Sequence, residues 1–375
     1  MQTSMFDYHL PSGRIAQVPA SPRDSSRLLV FNRKTKKVIH DRFKHLTEYL
    51  RSGDVLVFND TKVFPARLHG QKSTGGQMEV FLLRPLIGNA WEVLIGGKVR
   101  RIGLVITFKL GLRCEVVRQL EGGVWHVRFN KAPQQVLAIA DKIGSTPTPP
   151  YIKKTASMAD YQTVYAKKVG SVAAPTAGFH FTKRLLAQLK KKGVQFEFVT
   201  LHVGLGTFQP VKVEDIRQHK MHAEYAEISK NTLNHLRQAK KEGRRIIAVG
   251  TTSVRVLETV YGRWTTRPLR IANQGGRADY GRDRTVQSSK FMAHGFRGWI
   301  NTFIYPGYRF KIVDAMITNF HLPKSTLLML VAAFLSERKR GLSPTQTVER
   351  LQTIYQIAIR EQYRFYSFGD GMLIE

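Results

Sequence analysis

The sequence is poor in three things. A single cysteine, Cys114, stands among 375 residues. It cannot close an internal disulfide, a usage that suits a reducing compartment. The apolar run near the C-terminus, LLMLVAAFL, is far shorter than the ~20 residues a helix needs to cross a bilayer, so no membrane partner is expected. Acid is scarce, with 27 Asp+Glu against 59 Lys+Arg, for a formal net charge of +32. The opening residues MQTSMFDYHLPSG contain acid and lack an apolar segment, so they read as neither a signal peptide nor a transit peptide.

Familiar catalytic signatures are missing too. Neither GxGxxG nor GxxxxGK[ST] occurs, which removes the Rossmann and P-loop fingerprints. No G-x-S-x-G elbow supports a serine hydrolase. Histidines do not fall at H-E-x-x-H spacing, and the step His219-Lys220-Met221-His222 lacks a third ligand in reach, so no metal is expected.

A hydrophobic content of 42% implies a folded chain with a real core, in one large or two ordinary domains. The positive excess favours a polyanion, nucleic acid before membrane, because neutralised phosphates release counterions. Adaptation to a cell interior is the plainer alternative.

From Gly53 to Phe64, GDVLVFNDTKVF reads as a strand and a polar turn. Short β-branched and aromatic pieces follow between Arg67 and Phe129, split by GG, GNA and EGG turns, and predict a small antiparallel barrel or sandwich. The proline-rich run Ile143–Lys154 reads as the return linker. Thereafter helix and strand patterns alternate: FTKRLLAQLKKKG, VQFEFVTLHVG, KNTLNHLRQAKKEG, RRIIAVG, TTSVRVLETVYG, DAMITNF and TLLMLVAAFLSERKR. This predicts an α/β domain (residues 1–64 and 151–375) with a mostly parallel or mixed sheet covered by helices, and an inserted β-barrel at 65–150. Residues 262–298 interrupt the pattern and read as a long basic loop, either a solvated insertion or an RNA contact.

Right-handed crossovers would bring the strand ends GLGTF, GTTSVR and NFHLPKST to one crevice. At GTTSVRVLE the helix start offers an anion site through its amides and hydroxyls, although Thr251, Thr252 and Ser253 would also serve as caps. Arg255 could turn back toward an anion or pair with Glu258. Asp60 either forms a turn or binds a ribose hydroxyl or a cation, and Arg67 could pair with it. Histidines beside glycine suit proton transfer or substrate hydrogen bonds. In PTAGFHFTKRLLAQLKKKG, Phe181, Leu185, Leu186 and Leu189 make an apolar face and Thr182 a cap.

Laid end to end, these segments resemble the S-adenosylmethionine:tRNA ribosyltransferase-isomerase family of queuosine biosynthesis. The resemblance runs through FDYHLPSGRIAQVPA, GDVLVFNDTKVFPARLHG, YQTVYAKKVGSVAAPTAGFHFT, TLHVGLGTFQPV, HKMHAEY, AVGTTSVRVLE, FIYPGYRFKIVDAMITNFHLPKSTLLMLVAAF and FYSFGDGMLI. It implies an α/β domain with an inserted barrel. It also implies transfer and isomerisation of the ribosyl part of S-adenosylmethionine, a consumed co-substrate, onto 7-aminomethyl-7-deazaguanine at the wobble position of tRNA. The products would be epoxyqueuosine-tRNA, adenine and methionine, made in the cytoplasm.

By their places in the resembled motifs, His180, His202, His321 and Asp60 are expected to be catalytic, with His180 or His202 relaying a proton. Arg67, Thr252, Ser253, Arg255 and Asn319 are expected to hold the co-substrate. Glu224 is a further base or salt-bridge partner. The RNA surface is expected at Lys183, Arg184, Lys190, Lys191 and Lys192, and at Arg263, Arg267, Arg270, Arg277, Arg282 and Arg284. Phe179 departs from the leucine usual in the pattern, and the 262–298 stretch is longer than the usual connection. A non-catalytic tRNA-binding module and another S-adenosylmethionine-dependent RNA-modifying enzyme, such as a methyltransferase, are the alternatives.

Overall fold

The computed structural model describes residues 1–97, 102–154, 156–204, 210–265, 294–336 and 342–375. In chain order its strands begin with β1 (Arg27–Phe31), β2 (Val38–Arg42), β3 (Val55–Asn59) and β4 (Thr61–Val63). Next come β5 (Arg67–Lys72), β6 (Gln77–Pro85), β7 (Ala90–Gly96), β8 (Val105–Thr107), β9 (Arg113–Gln119) and β10 (Val124–Phe129). The last are β11 (Lys168–Ser171), β12 (Gln195–Leu201), β13 (Glu224–Ile228), β14 (Ile246–Val249), β15 (Phe296–Ile300), β16 (Ala315–Asn319) and β17 (Gly371–Ile374).

Nine of these form one mixed sheet in the order β15-β13-β12-β3-β14-β16-β17-β1-β2. Parallel pairing unites β12, β3, β14 and β16. Antiparallel strands extend this block at both sides. All of β3 is buried, as an unbroken apolar strand inside a two-sided sheet should be. Its period of two divides the core: Val55 and Val57 join the helices Lys230–Lys241, Thr251–Thr265, Thr326–Phe334 and Pro344–Arg360. Leu56 and Phe58 pack instead with Leu185 and Leu189 of the helix Lys183–Lys191. Thr182 caps that helix by accepting from the Leu185 amide at 3.1 Å.

Six antiparallel strands close a barrel in the order β10-β7-β6-β5-β8-β9. The helix Pro133–Ile143, which sequence reasoning passed over, sends Val136 and Ala140 into the barrel core beside Trp91. The chain leaves for the barrel after β4 and comes back through β11, and these two strands pair in parallel. That pairing moors the barrel at the end of β3, where polar residues gather.

The 262–298 stretch is not irregular throughout. The helix that starts at Thr251 continues to Thr265, and β15 begins at Phe296. Phe296 and Ile300 of β15 are buried while Arg297 and Trp299 are exposed, an edge-strand alternation too short to stand out among arginines. Residues 266–293 lie outside the described residues. The C-terminal helix Pro344–Arg360, begun by a Ser343 and Gln346 capping box, also escaped the sequence reading. Phe179 is buried, with its ring stacked on Phe368 at 5.8 Å and edge-on to Tyr161 at 5.7 Å.

Phe320 anchors the ring cluster behind β16, with centroids at 4.9 Å from Phe365 and 5.5 Å from both Tyr355 and Tyr363. Truncation there removes the contacts with all three rings and opens a cavity. Phe320→Ala is expected to cost about 3–5 kcal/mol in chemical denaturation. Ile87→Ala, at a fully exposed position, should change stability by less than about 0.5 kcal/mol.

Candidate active site at the ends of the parallel strands

The carboxyl ends of the four parallel strands carry Asn59-Asp60, His202-Val203, Gly250-Thr251-Thr252 and Asn319-Phe320-His321. In open α/β sheets this edge is where ligands bind. A cavity of about 610 Å³, including its open mouth, lies over the ends of β14 and β16. Its wall comes from Gly250 to Thr252, Thr318 to Leu322 and Val203, with Pro175 to Ala177 from the PTAGFH segment. Tyr151, Tyr366 and Ser367 complete it from segments distant in sequence.

Gly250 has a positive φ of 87°, the conformation that lets β14 turn directly into the helix Thr251–Thr265. The amide-bearing start of that helix therefore borders the cavity, an arrangement that favours anions. Thr252 Oγ1 is buried and has no hydrogen-bond partner among the described residues. Ser253 does not share this place, because its hydroxyl is spent on the Val249 carbonyl at 2.8 Å and the residue is absent from the cavity wall.

Asn319 donates from Nδ2 to the Tyr366 carbonyl at 2.9 Å, which leaves its buried Oδ1 without a partner among the described residues. His321 shares a 2.8 Å hydrogen bond between Nε2 and Thr318 Oγ1. Its peptide is fixed as well: the N–H donates to Tyr355 Oη at 3.1 Å, and the carbonyl accepts from Tyr8 Oη. Desolvation pushes the His321 ring down to about 3, so it is neutral near pH 7.

His180 does not line the cavity. It is buried, stacked on Phe43 with centroids 4.6 Å apart, and bonded through Nδ1 to Ser26 Oγ at 2.8 Å. Desolvation carries its pKa down to about 4, against a smaller opposing pull from Asp370 and Asn319. Asp60 and His202 form a separate cluster at the ends of β3 and β12. Asp60 accepts from Thr200 Oγ1 at 2.6 Å, and His202 Nδ1 lies 2.8 Å from Thr61 Oγ1. Desolvation lowers the His202 pKa, and the nearby Glu227 and Asp60 carboxylates oppose that shift. Gly170 makes room for the ring, since a Cβ at that position would sit 2.7 Å from His202 Nε2.

Two arginines take unexpected partners. Arg255 pairs with Glu224, not Glu258, in a buried ion pair, and its Nη2 has no partner among the described residues. Glu224 in turn accepts from the Gly204 amide at 3.0 Å. Glu258 instead accepts from the backbone amides of Lys311, Ile312 and Val313 at 2.8, 3.1 and 3.0 Å. Arg67 lies on the barrel, pairs with Glu79 at 2.5 Å rather than with Asp60, and is not on the cavity wall. Lys183, Arg184, Lys190, Lys191 and Lys192 are exposed, with Arg184 tied to Asp24 at 2.8 Å. Arg263 sits in the helix Thr251–Thr265; Arg267, Arg270, Arg277, Arg282 and Arg284 lie outside the described residues.

Comparison with known proteins places this geometry. A family model described as "Queuosine biosynthesis protein" matches residues 3–374. The chain belongs to the S-adenosylmethionine:tRNA ribosyltransferase-isomerase family. It is 44% identical over 377 residues to the member from Aquifex aeolicus, with all of both chains covered. The members from Carboxydothermus hydrogenoformans and Staphylococcus aureus are 46% and 45% identical, again over the full length of both chains. A solved structure of S-adenosylmethionine tRNA ribosyltransferase from Thermotoga maritima aligns with a TM-score of 0.52 at 33% identity, covering 99% of this chain and 100% of that one.

The two desolvated histidines give the fold a defined acid sensitivity. An unfolded histidine titrates near its ordinary 6.5, whereas His180 in the fold is pushed down to about 4 and His321 to about 3. Below about pH 6.5 the unfolded chain binds protons that the fold refuses, so their stabilisation is full above that pH and fades as pH falls. Each histidine is expected to contribute about 1.4 kcal/mol per pH unit to this loss, His180 down to about pH 4. Denaturation curves at pH 7 and pH 5 check it, since His180→Asn should flatten the dependence by one histidine's share.

Proposed function

We propose that this chain transfers the ribosyl moiety of S-adenosylmethionine to the aminomethyl group of 7-aminomethyl-7-deazaguanine at the wobble position of a tRNA. Isomerisation then yields epoxyqueuosine with release of adenine and methionine, in the cytoplasm. The observation that carries the reading is the cavity over β14 and β16, on whose wall Thr252 Oγ1 is buried with no hydrogen-bond partner among the described residues, beside Asn319 and His321. Buried polar atoms left unpaired cost stability unless a ligand pairs them. A ribose with its hydroxyls, or an adenine with its amino group, supplies what they lack.

The chain's own groups divide the work. Thr252, Asn319 and the helix start at Thr251 hold the co-substrate, with the amides suited to its carboxylate. Tyr151 and Tyr366 offer ring surface on the same wall. The tRNA amine must be neutral to attack the ribosyl carbon, and a ribose proton must leave. His202, with its lowered pKa and Asp60 close by, is a base ready at neutral pH. His321 is neutral too, and orients ribose or base through hydrogen bonds, not by charge. His180 supports the wall from behind, and the Arg255–Glu224 pair braces the segment that follows β12. The cationic sulfur activates the ribose, so these steps call for no metal.

Incubation with precursor-containing tRNA and S-adenosylmethionine, followed by mass spectrometry of the nucleosides, separates the alternatives. An added epoxycyclopentanediol group with free adenine and methionine is expected. S-adenosylhomocysteine would mean methyl transfer, and tight tRNA binding with no mass change would mean a binding module. Thr252→Val, which keeps volume and removes the hydroxyl, should raise the KM for S-adenosylmethionine by roughly fivefold to tenfold with the free protein's thermal stability unchanged or raised.

A further inference from the structure

One face of the main sheet loses its cover at the β15 edge. On β12, β13 and β15 the residues that alternate with the buried core are Phe198, Tyr225, Arg297 and Trp299. Phe198 is 39% and Trp299 47% exposed, the two large aromatics of the sheet that remain so open. Tyr225 and Trp299 are direct cross-strand partners, with ring centroids 5.7 Å apart. On its other side Tyr225 lies nearly parallel to the His202 ring at 6.0 Å. A row of rings therefore runs from the strand end that carries His202 to the edge of the sheet.

The barrel reaches over to hold this row. The Arg84 guanidinium lies 4.8 Å from the Trp299 centroid, and Glu92 grips it through two hydrogen bonds of 2.6 Å. A planar cation locked by a fork fixes the indole from one side and leaves the rest open. Lys168 and Arg297 stand on the same side. The Glu227 carboxylate lies between them, 2.5 Å from Lys168 and 3.8 Å from Arg297.

We infer that Trp299 and Tyr225, with Arg84 and Arg297, form a stacking platform for unpaired nucleotides of the RNA substrate beside the target base. The inference rests on the proposed tRNA reaction and names the surface that would receive the loop. Aromatic faces flanked by cations take single-stranded bases with little regard to sequence, whereas a duplex hides its bases from them. The exposed lysines of the helix Lys183–Lys191 have no such rings and suit backbone phosphates alone.

Binding of an anticodon stem-loop RNA and of a fully paired RNA of equal length, measured by fluorescence anisotropy, tests the platform. Trp299→Ala should weaken stem-loop binding by roughly tenfold, leave duplex binding and the KM for S-adenosylmethionine unchanged, and be largely rescued by Trp299→Phe. Trp299→Ala binding the stem-loop as tightly as wild type, or a wild type that holds both RNAs equally, would overturn it. Binding needs no turnover, so a Trp299-dependent affinity without ribosyl transfer would retire the reaction and keep the platform.

Discussion

The carboxamide of Asn59 holds the active edge of this protein together. Backbone pairing of β3 with β12 reaches Asn59 opposite Val199, and the side chain then continues the ladder. Its Nδ2 donates to the Leu201 carbonyl at 3.1 Å, and its Oδ1 accepts from the Leu201 amide at 3.0 Å and the Thr61 amide at 3.2 Å. Both strands are thereby stopped at one level and their next residues turned outward, Asp60 from β3 and His202 from β12. The same clasp starts β4, the strand through which the barrel is moored. A residue that reads as a turn former thus sets the registry of two domains and of the polar cluster between them.

The distribution of charge follows from how the few acids are used. Asp24, Asp54, Asp60, Glu224, Glu258 and Asp370 are all buried, each occupied with structure. Asp54 holds Arg245 at 2.6 Å, Asp370 receives Arg364 at 3.0 Å, and Glu258 caps a run of amides. Asp24, Asp54 and Asp370 answer Arg184, Arg245 and Arg364, so most of the other cations have no carboxylate to meet them in so acid-poor a chain. Exposed ion pairs contribute little to stability, which makes an anionic partner the better account of so much uncompensated charge.

Much of the fold was legible because its signals are local. The β3 run, the capped helix at Thr182 and the turn-rich barrel each declare themselves within a dozen residues or so. The helix Pro133–Ile143 was hidden because it is a short run wedged between the barrel strands and the proline-rich linker, and β15 because its buried residues Phe296 and Ile300 stand at its very ends. Thr252, Asn319 and His321, singled out by their places in the resembled motifs, line the cavity. Ser253 and Arg255 share the same motif but face elsewhere, a distinction of helix phase and of a partner at Glu224 that no local pattern encodes. Tyr151 and Tyr366 reach the cavity from a linker and from the C-terminal segment, and only the fold brings them there.

Two polar clusters therefore stand at one sheet edge: Thr252, Asn319 and His321 over β14 and β16, and Asp60 with His202 over β3 and β12. The claim that joins them is that the ribose of the sulfonium compound is the group handed over. S-adenosylmethionine labelled throughout its ribose carbons tests this directly. The account predicts that every ribose label arrives in the modified nucleoside, with none in the released adenine or methionine. Label remaining in a released nucleoside product, with only the methyl carbon reaching the RNA, would contradict it.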